Sequence, residues 1–503
     1  MRLLHDLAKI HATFDDPHLV SRSGLVPVMA LAQRAGLAGL VAAYVRPGGP
    51  CGVNADLKIG CLVAGMAAGA DSIDDMDLLR HGAMPDLFGG IRAPSTLGSH
   101  LRSFTWGNAL QLQMVSRVLL GELARRAPLL PGRDTLAFID IDAMQKRVYG
   151  HRKQGAAFGH TKIQGKSLLV RGLNALAATI STPLGAPVIA ATRLRGGNAN
   201  SARGAASFAA EAIATARSAG CSGLIVVRAD SAYYSAAFCG AVRRAGARFS
   251  VTVNTDPKIT AAIAAIGETA WTGIRYPRAI WDDQLRCWVS DAQIAEIEYT
   301  AFTSKKSQAI TARLIVRRVR DLSKPAAAGQ DELFPAWRYH AVFTDSGFEL
   351  AQAEEQHRDH AVVEQVFADI TNGPLAHLPS IIFSPTILRT SDLRLCVVDS
   401  VVHGLSGGFP EGRSGSLRCL LSGRVVAGER IAAALCSPSA RSSASRSWWL
   451  SDSRTRMRTV AASRRRSSEA GVARCRSGTS GDDGACCCRV RSRPICSRKS
   501  SWP

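Results

Sequence analysis

Long apolar runs are missing from this sequence. The longest, IGCLVAGMAAGA at residues 59–70, has 12 residues, whereas a helix that crosses a bilayer needs about 20. The opening segment, MRLLHDLAKIHATFDD, also lacks the sustained apolar stretch of a secretory signal. We therefore expect a cytoplasmic protein, in which thiols stay reduced.

Acidic residues are also in short supply. The chain has 40 Asp and Glu against 62 Lys and Arg, which gives a formal net charge of +22. Such an excess favours a polyanionic partner, and nucleic acid is the best fit for a basic protein of 503 residues. With 46% hydrophobic residues, the chain can still bury the cores of several globular domains.

The C-terminal segment 381–503 has very little lysine and no clear helical or strand periodicity. It holds 20 Arg but one Lys, together with 24 Ser and eight of the 13 Cys. A basic disordered tail that binds nucleic acid is one interpretation. We prefer translation in a shifted reading frame, because a GC-rich gene read out of frame yields Arg, Ser and Cys in this manner. The triplet Cys486 to Cys488 lacks the spaced pairs of a zinc site.

The remaining chain divides by its periodicity. Helical spacing predicts a mostly helical DNA-binding domain at 1–133, for which a helix-turn-helix and a plain bundle are both compatible. Three apolar strands followed by alternating helices and strands predict an α/β layer with parallel strands at 134–255. Residues 256–345 are strand-rich and predict a β-rich insert. A helix capped by Ser346 is expected to close the catalytic core within 346–380.

Carboxylates stand at informative positions in the predicted layer. Asp142 is expected at the end of the first apolar strand, with Asp140 two residues earlier on the same face. Asp230 ends a later strand, and Glu364 lies in the closing helix, four residues after His360. Desolvated carboxylates need a partner, and clustered oxygen ligands suit Mg²⁺ or Mn²⁺. A salt-bridged or solvated acid is the simpler explanation for any one of them.

A basic, Gly-rich loop is predicted directly after the first strand. Its cations would bring DNA phosphates to the metal ions, where an in-line phosphoryl displacement takes place. The residues expected to bind DNA in this way are Lys146, Arg147, Arg152, Lys153 and Lys162.

Several stretches resemble the DDE transposases of bacterial insertion sequences, and most nearly insertion-sequence family 1380. These stretches are RVYGHRKQGAAFGHTKIQGKSLLVRGLNALAATISTPLGAPVIAATRLRGGNANSARGAA, TAFTSKKSQAITARLIVRRVRDL and EEQHRDHAVVEQVFADITNGPLAHLPS. The likeness runs from near the N-terminus to about residue 380. It implies an α/β, RNase H-like catalytic domain with a β-rich insert, acting on DNA at the bacterial nucleoid.

The resemblance also implies roles for individual residues. Asp142, Asp230 and Glu364 match the three catalytic and metal-binding acids, with Asp142 preferred to Asp140 and Mg²⁺ or Mn²⁺ as the cofactor. Met144 stands where the family usually has a hydroxyl residue. His357 and His360 occupy the Tyr and Arg positions of a Tyr-x-x-Arg-x-x-x-Glu signature and are expected to contact DNA.

The resemblance implies a homodimer that brings two element ends and target DNA together. Three alternatives to this transposase stay open. One is an RNase H-fold nuclease without strand transfer. The others are a DNA-binding protein without catalysis and an inactive relic whose altered C-terminus no longer supports the catalytic core.

Overall fold

The computed structural model describes residues 18–150, 152–163, 166–277, 279–284, 286–320 and 337–372. The tail 381–503 lies outside these residues, so the interpretation of a shifted reading frame stays a prediction. The domain boundaries also stay predictions, although the order of helices and strands follows them.

The first part of the described chain is helical. Its helices are α1 Leu25–Arg34, α2 Leu37–Tyr44, α3 Ala55–Ala67, α4 Met84–Leu87, α5 Pro94–Arg102 and α6 Trp106–Arg126. No single helix within the described ranges has the length and apolar character to cross a bilayer, although α1 and α2 pass that test as a bent pair. Leu112, Leu119 and Leu123 of α6 are fully buried and join the core that the helices share with the sheet.

Side-chain hydrogen bonds determine two details of these helices. α5 and α6 are separate helices, because Thr105 begins α6 with a capping box to Asn108. Residues Asp74–Leu79 form a 3₁₀-helix. Here the Asp75 side chain accepts hydrogen bonds from the backbone N–H groups of residues 71 and 72, which compete with α-helical hydrogen bonding.

A large mixed sheet follows. Two of the strands, β8 and β9, form a separate pair, and all the others belong to the large sheet. The strands are β1 Leu136–Arg147, β2 Ala157–Ile163, β3 Lys166–Thr182, β4 Gly185–Gly196, β5 Leu224–Ala229, β6 Arg248–Val253, β7 Thr272–Gly273, β8 Ile280–Asp282, β9 Cys287–Val289, β10 Ala292–Ala301, β11 Ile310–Arg320 and β12 Trp337–Thr344. The interleaved helices are α7 Ala205–Ser218, α8 Ala236–Arg244 and α9 Pro257–Ala264.

The sheet has an antiparallel half and a parallel centre. β4, β3 and β1 are antiparallel neighbours, and β1, β5 and β6 are then parallel, with α7 and α8 as the crossovers. Beyond β6 come β12, β11, β10 and β7, all antiparallel. The predicted α/β layer and the strand-rich character of 256–345 are both present, with α9 as an additional helix in the second segment.

The basic segment after Asp142 is more regular than predicted. β1 continues as far as Arg147 because β3 pairs with it to that point, and β2 then forms a hairpin with the first half of β3. β2 and β4 lie end to end along the same edge of β3. At their junction, a Cβ on Gly197 would collide with the carbonyl oxygens of Gly172 and Ala157, so this close approach requires glycine.

Candidate active site

Asp142 and Asp230 follow the end of one parallel ladder. The paired residues of β1 and β5 finish with Ile141 opposite Ala229, and the next residue on each strand is an aspartate. Adjacent strands lie about 4.8 Å apart, so the two carboxylates come from neighbouring positions. The sequence predicted that Asp142 ends β1. The strand continues past Asp142 instead, because its antiparallel ladder with β3 extends further.

Glu364 reaches this region on a short helix, α11 Val362–Asn372. Val363 and Phe367 of α11 are buried against Ala177 and Met144. Ala177 is the β3 residue directly opposite Asp142, so the apolar face of α11 lies beside that aspartate. Met144 therefore helps to seat the helix that carries Glu364.

The electrostatics of Asp142 reflect these neighbours. Burial is the main influence and, together with the nearby carboxylates of Asp230 and Glu364, raises the pKa of Asp142 to about 6. The backbone N–H of Ala143 donates to its Oδ1 over 2.6 Å, and this bond and His360 act in the opposite direction. Asp142 is thus a partly desolvated carboxylate held among like charges.

Asp140 has a different environment although it points to the same face of β1. Its side chain is 0% exposed and accepts two hydrogen bonds from Arg228, at 2.6 and 2.7 Å. His360 Nδ1 lies 2.9 Å from its Oδ1 and completes the set of donors. Because the Asp140 carboxylate is already engaged by Arg228 and His360, Asp142 is the better candidate for a metal ligand.

His357 is not available to DNA, which corrects the sequence prediction. Its ring is buried, and its two nitrogens lie 2.9 Å from the hydroxyls of Ser250 and Thr252. Burial lowers the pKa of His357 to about 3, so the ring is neutral at physiological pH. It packs the helix before Glu364 onto β6 rather than contacting phosphate.

The single closing helix that was predicted is two helices. α10 Leu350–Arg358 is followed by a 3₁₀ turn at Asp359–Ala361 and then by α11. Glu349, not Ser346, occupies the N-cap of α10. Ser346 is instead buried and receives a bond from the backbone of Phe348. The 3₁₀ turn places His360 against Asp140. The sequence prediction of one continuous α-helix did not include this contact.

The basic residues divide by exposure. Arg147 and Arg152 are exposed, and the Arg147 guanidinium lies 5.1 Å from the Tyr149 ring centre. Lys146 is half-buried, and burial lowers its pKa. Lys153 is 6% exposed, so its predicted contact with DNA is not supported, while the side chain of Lys162 lies outside the described residues.

Two residues near the acids carry more than the sequence suggested. Arg228 reads from sequence as part of an apolar strand, yet it is the main partner of Asp140. Tyr233, expected only to pack, is fully buried, and its hydroxyl makes no hydrogen bond of ordinary geometry with any described residue. Burial raises its pKa, as do the charges of Asp142 and Asp230. The only sequence signal for these two roles is the stretch RADSAYY at 228–234, in which the charged residues Arg228 and Asp230 stand on either side of Ala229, the last residue of β5.

The donor set at this place fits a hard divalent cation. Asp142, Asp230 and Glu364 offer carboxylate oxygens only, and the buried hydroxyl of Tyr233 is close enough to Asp142 and Asp230 for their charges to raise its pKa. In the described part of the chain, no three His, Cys, Asp or Glu side chains are already gathered as closely as metal ligands. A cation would relieve the mutual repulsion that raises the Asp142 pKa.

Comparison with known proteins identifies the family of the chain. A family model described as transposase DDE domain, group 1, matches residues 4–322, a range that contains Asp142 and Asp230. A solved structure of a piggyBac transposase synaptic complex with hairpin DNA is similar at 9% identity, with a TM-score of 0.36 and coverage of 84% of each chain. That likeness is too remote to support conclusions about this chain. No curated protein matches it.

Proposed function

Because this chain belongs to the transposases with a group 1 DDE domain, we propose that it cuts DNA at the ends of an insertion sequence and joins the freed ends to target DNA. The chain is a DNA transposase, and its family uses divalent metal ions. The proposal adds the residues, the metal and the substrate ends. Asp142, Asp230 and Glu364 would hold Mg²⁺ or Mn²⁺.

One observation carries the assignment of these residues. Asp142 is partly buried and is influenced by the charges of both Asp230 and Glu364, although the three acids come from β1, the end of β5 and α11. Structural carboxylates are normally paired with cations, as Asp140 is paired with Arg228. Asp142 instead has two further carboxylates, Asp230 and Glu364, as its charged neighbours, and an arrangement of this kind is typical of a site that binds a cation.

The proposed reaction consists of two displacements at phosphorus. In the first, water attacks a phosphodiester at the element end, and the 3′-oxygen leaves as a free hydroxyl. In the second, that 3′-hydroxyl attacks a target phosphodiester, so one bond to phosphorus forms as another breaks. The bound metal would orient the attacking and leaving oxygens and offset the charge that develops on the phosphate.

The sheet supports a finer description of the fold. The order β4, β3, β1, β5, β6, with an antiparallel first half and parallel centre, agrees with an RNase H-like core. The acids lie where the parallel strands end, which is the usual place for a site in an open sheet. The proposed membership of insertion-sequence family 1380 rests on the quoted sequence stretches.

DNA would be held beside the acids by the exposed cations that continue β1. Arg147 and Arg152 are the described side chains best placed for this because both are exposed, whereas His360 is in contact with Asp140. A homodimer that synapses two element ends remains part of the proposal, and it rests on the family resemblance. Phosphate contacts of this kind give affinity without reading base sequence.

Cleavage of a labelled element end in Mg²⁺ tests the proposal. Asp142→Asn, Asp230→Asn and Glu364→Gln should each reduce the cleavage rate by at least about 100-fold, because each removes a charge that the reaction uses. Asp283→Asn and Glu355→Gln, at exposed positions, should cleave like the parent. Full activity in all three site variants would overturn the assignment, and a parent that binds ends without cutting would favour the non-catalytic alternative.

A further inference from the structure

A buried group of charges lies directly behind the proposed metal site. Asp140, Arg228 and His360 form it, and we refer to them as the ionic network. Asp140 and Arg228 face each other across the parallel ladder of β1 and β5. Their side chains are 0% and 3% exposed, which is too little for either to reach DNA. The pair formed by Asp140 and Arg228 is therefore not part of the substrate-binding surface, while His360, with 15% of its side chain exposed, lies at the edge of the network.

The network contacts each element that carries a proposed ligand. Asp140 stands two residues before Asp142 on β1, and Arg228 stands two residues before Asp230 at the end of β5. His360 stands one helical turn before Glu364 and lies 2.9 Å from Asp140. Each of the three network residues thus lies two or four residues before one of the proposed ligands.

Arg228 makes a further connection to the third element. While two of its nitrogens bind Asp140, its remaining terminal nitrogen donates to the backbone carbonyl of Gln356 in α10. Its guanidinium carbon also lies 4.2 Å from the ring centre of Phe138. The planar guanidinium is therefore fixed in orientation by bonds on several sides, which an ammonium could not reproduce.

Stability alone does not account for such an arrangement. Burying an ion pair costs most of what the pairing gains, and well-packed apolar residues of similar size are often as good. Directional bonds, in contrast, fix relative position closely, and metal sites lose affinity when their ligands shift by about 0.5 Å. The parallel ladder already sets β1 against β5, so the turn between α10 and α11, which precedes Glu364, is the element that remains to be aligned with them.

We propose that the ionic network is a positioning device that aligns Asp142, Asp230 and Glu364 for metal binding. The inference rests on the proposed function of those three acids. Asp140, Arg228 and His360 act as positioning residues, since their bonds are made to one another and to the backbone behind the site. Replacing the buried pair by apolar residues should keep the fold and spoil the alignment.

The test compares the full chain with Asp140→Leu/Arg228→Met, using Mn²⁺ itself as the probe. Free Mn²⁺ is followed by electron paramagnetic resonance, and folding by the thermal midpoint. We expect a midpoint close to that of the parent, with Mn²⁺ affinity and end cleavage both reduced by about 10- to 100-fold. Mn²⁺ affinity within twofold of the parent would overturn the proposal.

Arg193→Met/Glu211→Leu is the matched control. It removes an ion pair of 2.9 Å between β4 and α7 and should leave Mn²⁺ affinity unchanged. A loss of affinity equal to that of the network variant would show a general effect of removing ion pairs, and would also overturn the proposal.

A milder pair of variants covers the case in which the double replacement does not fold. His360→Ala removes only the link between Asp140 and the turn before α11, while His360→Asn retains a side-chain N–H near the Nδ1 position. Weaker Mn²⁺ binding in the first and recovery in the second would support the proposal, and equal binding in His360→Ala and the parent would overturn it. Asp142→Asn distinguishes a failure of this inference from a failure of the proposed function. Unchanged Mn²⁺ binding in Asp142→Asn would contradict the proposed function.

Discussion

Two groups of charged side chains lie next to each other along β1 and β5, and they are built in opposite ways. In the ionic network, Asp140 is matched by Arg228 and His360 and is fully buried. Two residues further along each strand, Asp142 and Asp230 meet Glu364, and we refer to these three acids as the carboxylate triad. There, like charges together with burial raise the Asp142 pKa to about 6.

The contrast separates a structural role from a chemical one. Asp140 and Asp142 are the same residue type on the same face of one strand, so neither type nor periodicity distinguishes them. Their neighbours distinguish them. Asp140 has counter-charges within the chain, whereas Asp142 has none of comparable strength among the described residues. Asp140 thus has its partners within the chain, whereas we propose that the triad binds a cation from solution.

The largest effect should come from breaking the ionic network on one side only. Arg228→Met leaves the Asp140 carboxylate buried without its main partner, which should cost about 3–5 kcal/mol of unfolding free energy. Urea unfolding at neutral pH measures this. Arg80→Met, which removes an exposed pair with Asp77, should cost under about 1 kcal/mol. Equal losses in the two variants would mean that the Asp140 pair has no special weight.

Acid should destabilise the protein through His357. Its pKa falls from 6.5 to about 3 on folding, so the unfolded chain takes up the proton first as pH drops below 6.5. Stability from this group is therefore lost at up to about 1.4 kcal/mol per pH unit between those values. His357→Gln, which keeps a polar group near Ser250 and Thr252, should remove that slope, and exposed His81→Gln should not. Unfolding curves at pH 4.5, 5.5 and 7 give the comparison.

Asp142 should have the opposite pH dependence. Its pKa rises from 3.8 to about 6 on folding, so the folded chain holds a proton that the unfolded chain has lost. Without divalent metal, the protein should lose about 3 kcal/mol as pH rises from below 4 to above 6. Asp142→Asn should abolish this loss, while Asp283→Asn keeps it. The difference between parent and variant isolates the effect from His357, and identical pH profiles would contradict it.

The smallest effect is expected at the DNA surface beyond the triad. Arg147 is exposed and Lys153 is buried, so only the first should exchange its counterion for phosphate. Arg147→Ala should weaken DNA binding uniformly across sequences and lower the salt slope by about one unit. Lys153→Met should leave the slope unchanged. Fluorescence anisotropy at several salt concentrations measures the slope for each variant. A larger reduction of the slope in Lys153→Met than in Arg147→Ala would contradict the prediction.

Local pattern was sufficient to predict much of this site. Apolar runs that end in aspartate identified β1 and β5, and parallel neighbours were expected to bring Asp142 and Asp230 together. The alternation of strands and helices between 134 and 255 likewise predicted most of the elements in their order along the chain, but not the order of the strands in the sheet. These features depend on residues near one another in sequence.

Features that depend on distant partners could not be predicted. Arg228 meets Asp140 from 88 residues away, and no periodicity reports which buried strand positions will face each other. The break between α10 and α11 likewise follows from contacts of His357 and His360 with β6 and β1. Exposure of the basic residues depends on the β2–β3 hairpin, whose pairing extends a segment that looked like a loop.

Unfolding of the parent in Mg²⁺ at pH 7.5 tests the carboxylate triad most directly. If the triad binds the ion in the folded state only, Mg²⁺ should raise the unfolding free energy by about 1.4 kcal/mol at tenfold over its dissociation constant. It should also flatten the pH dependence that Asp142 causes. Asp142→Asn and Glu364→Gln should gain little. Equal stabilisation of both variants and the parent, or no response of the parent at millimolar Mg²⁺, would contradict the account.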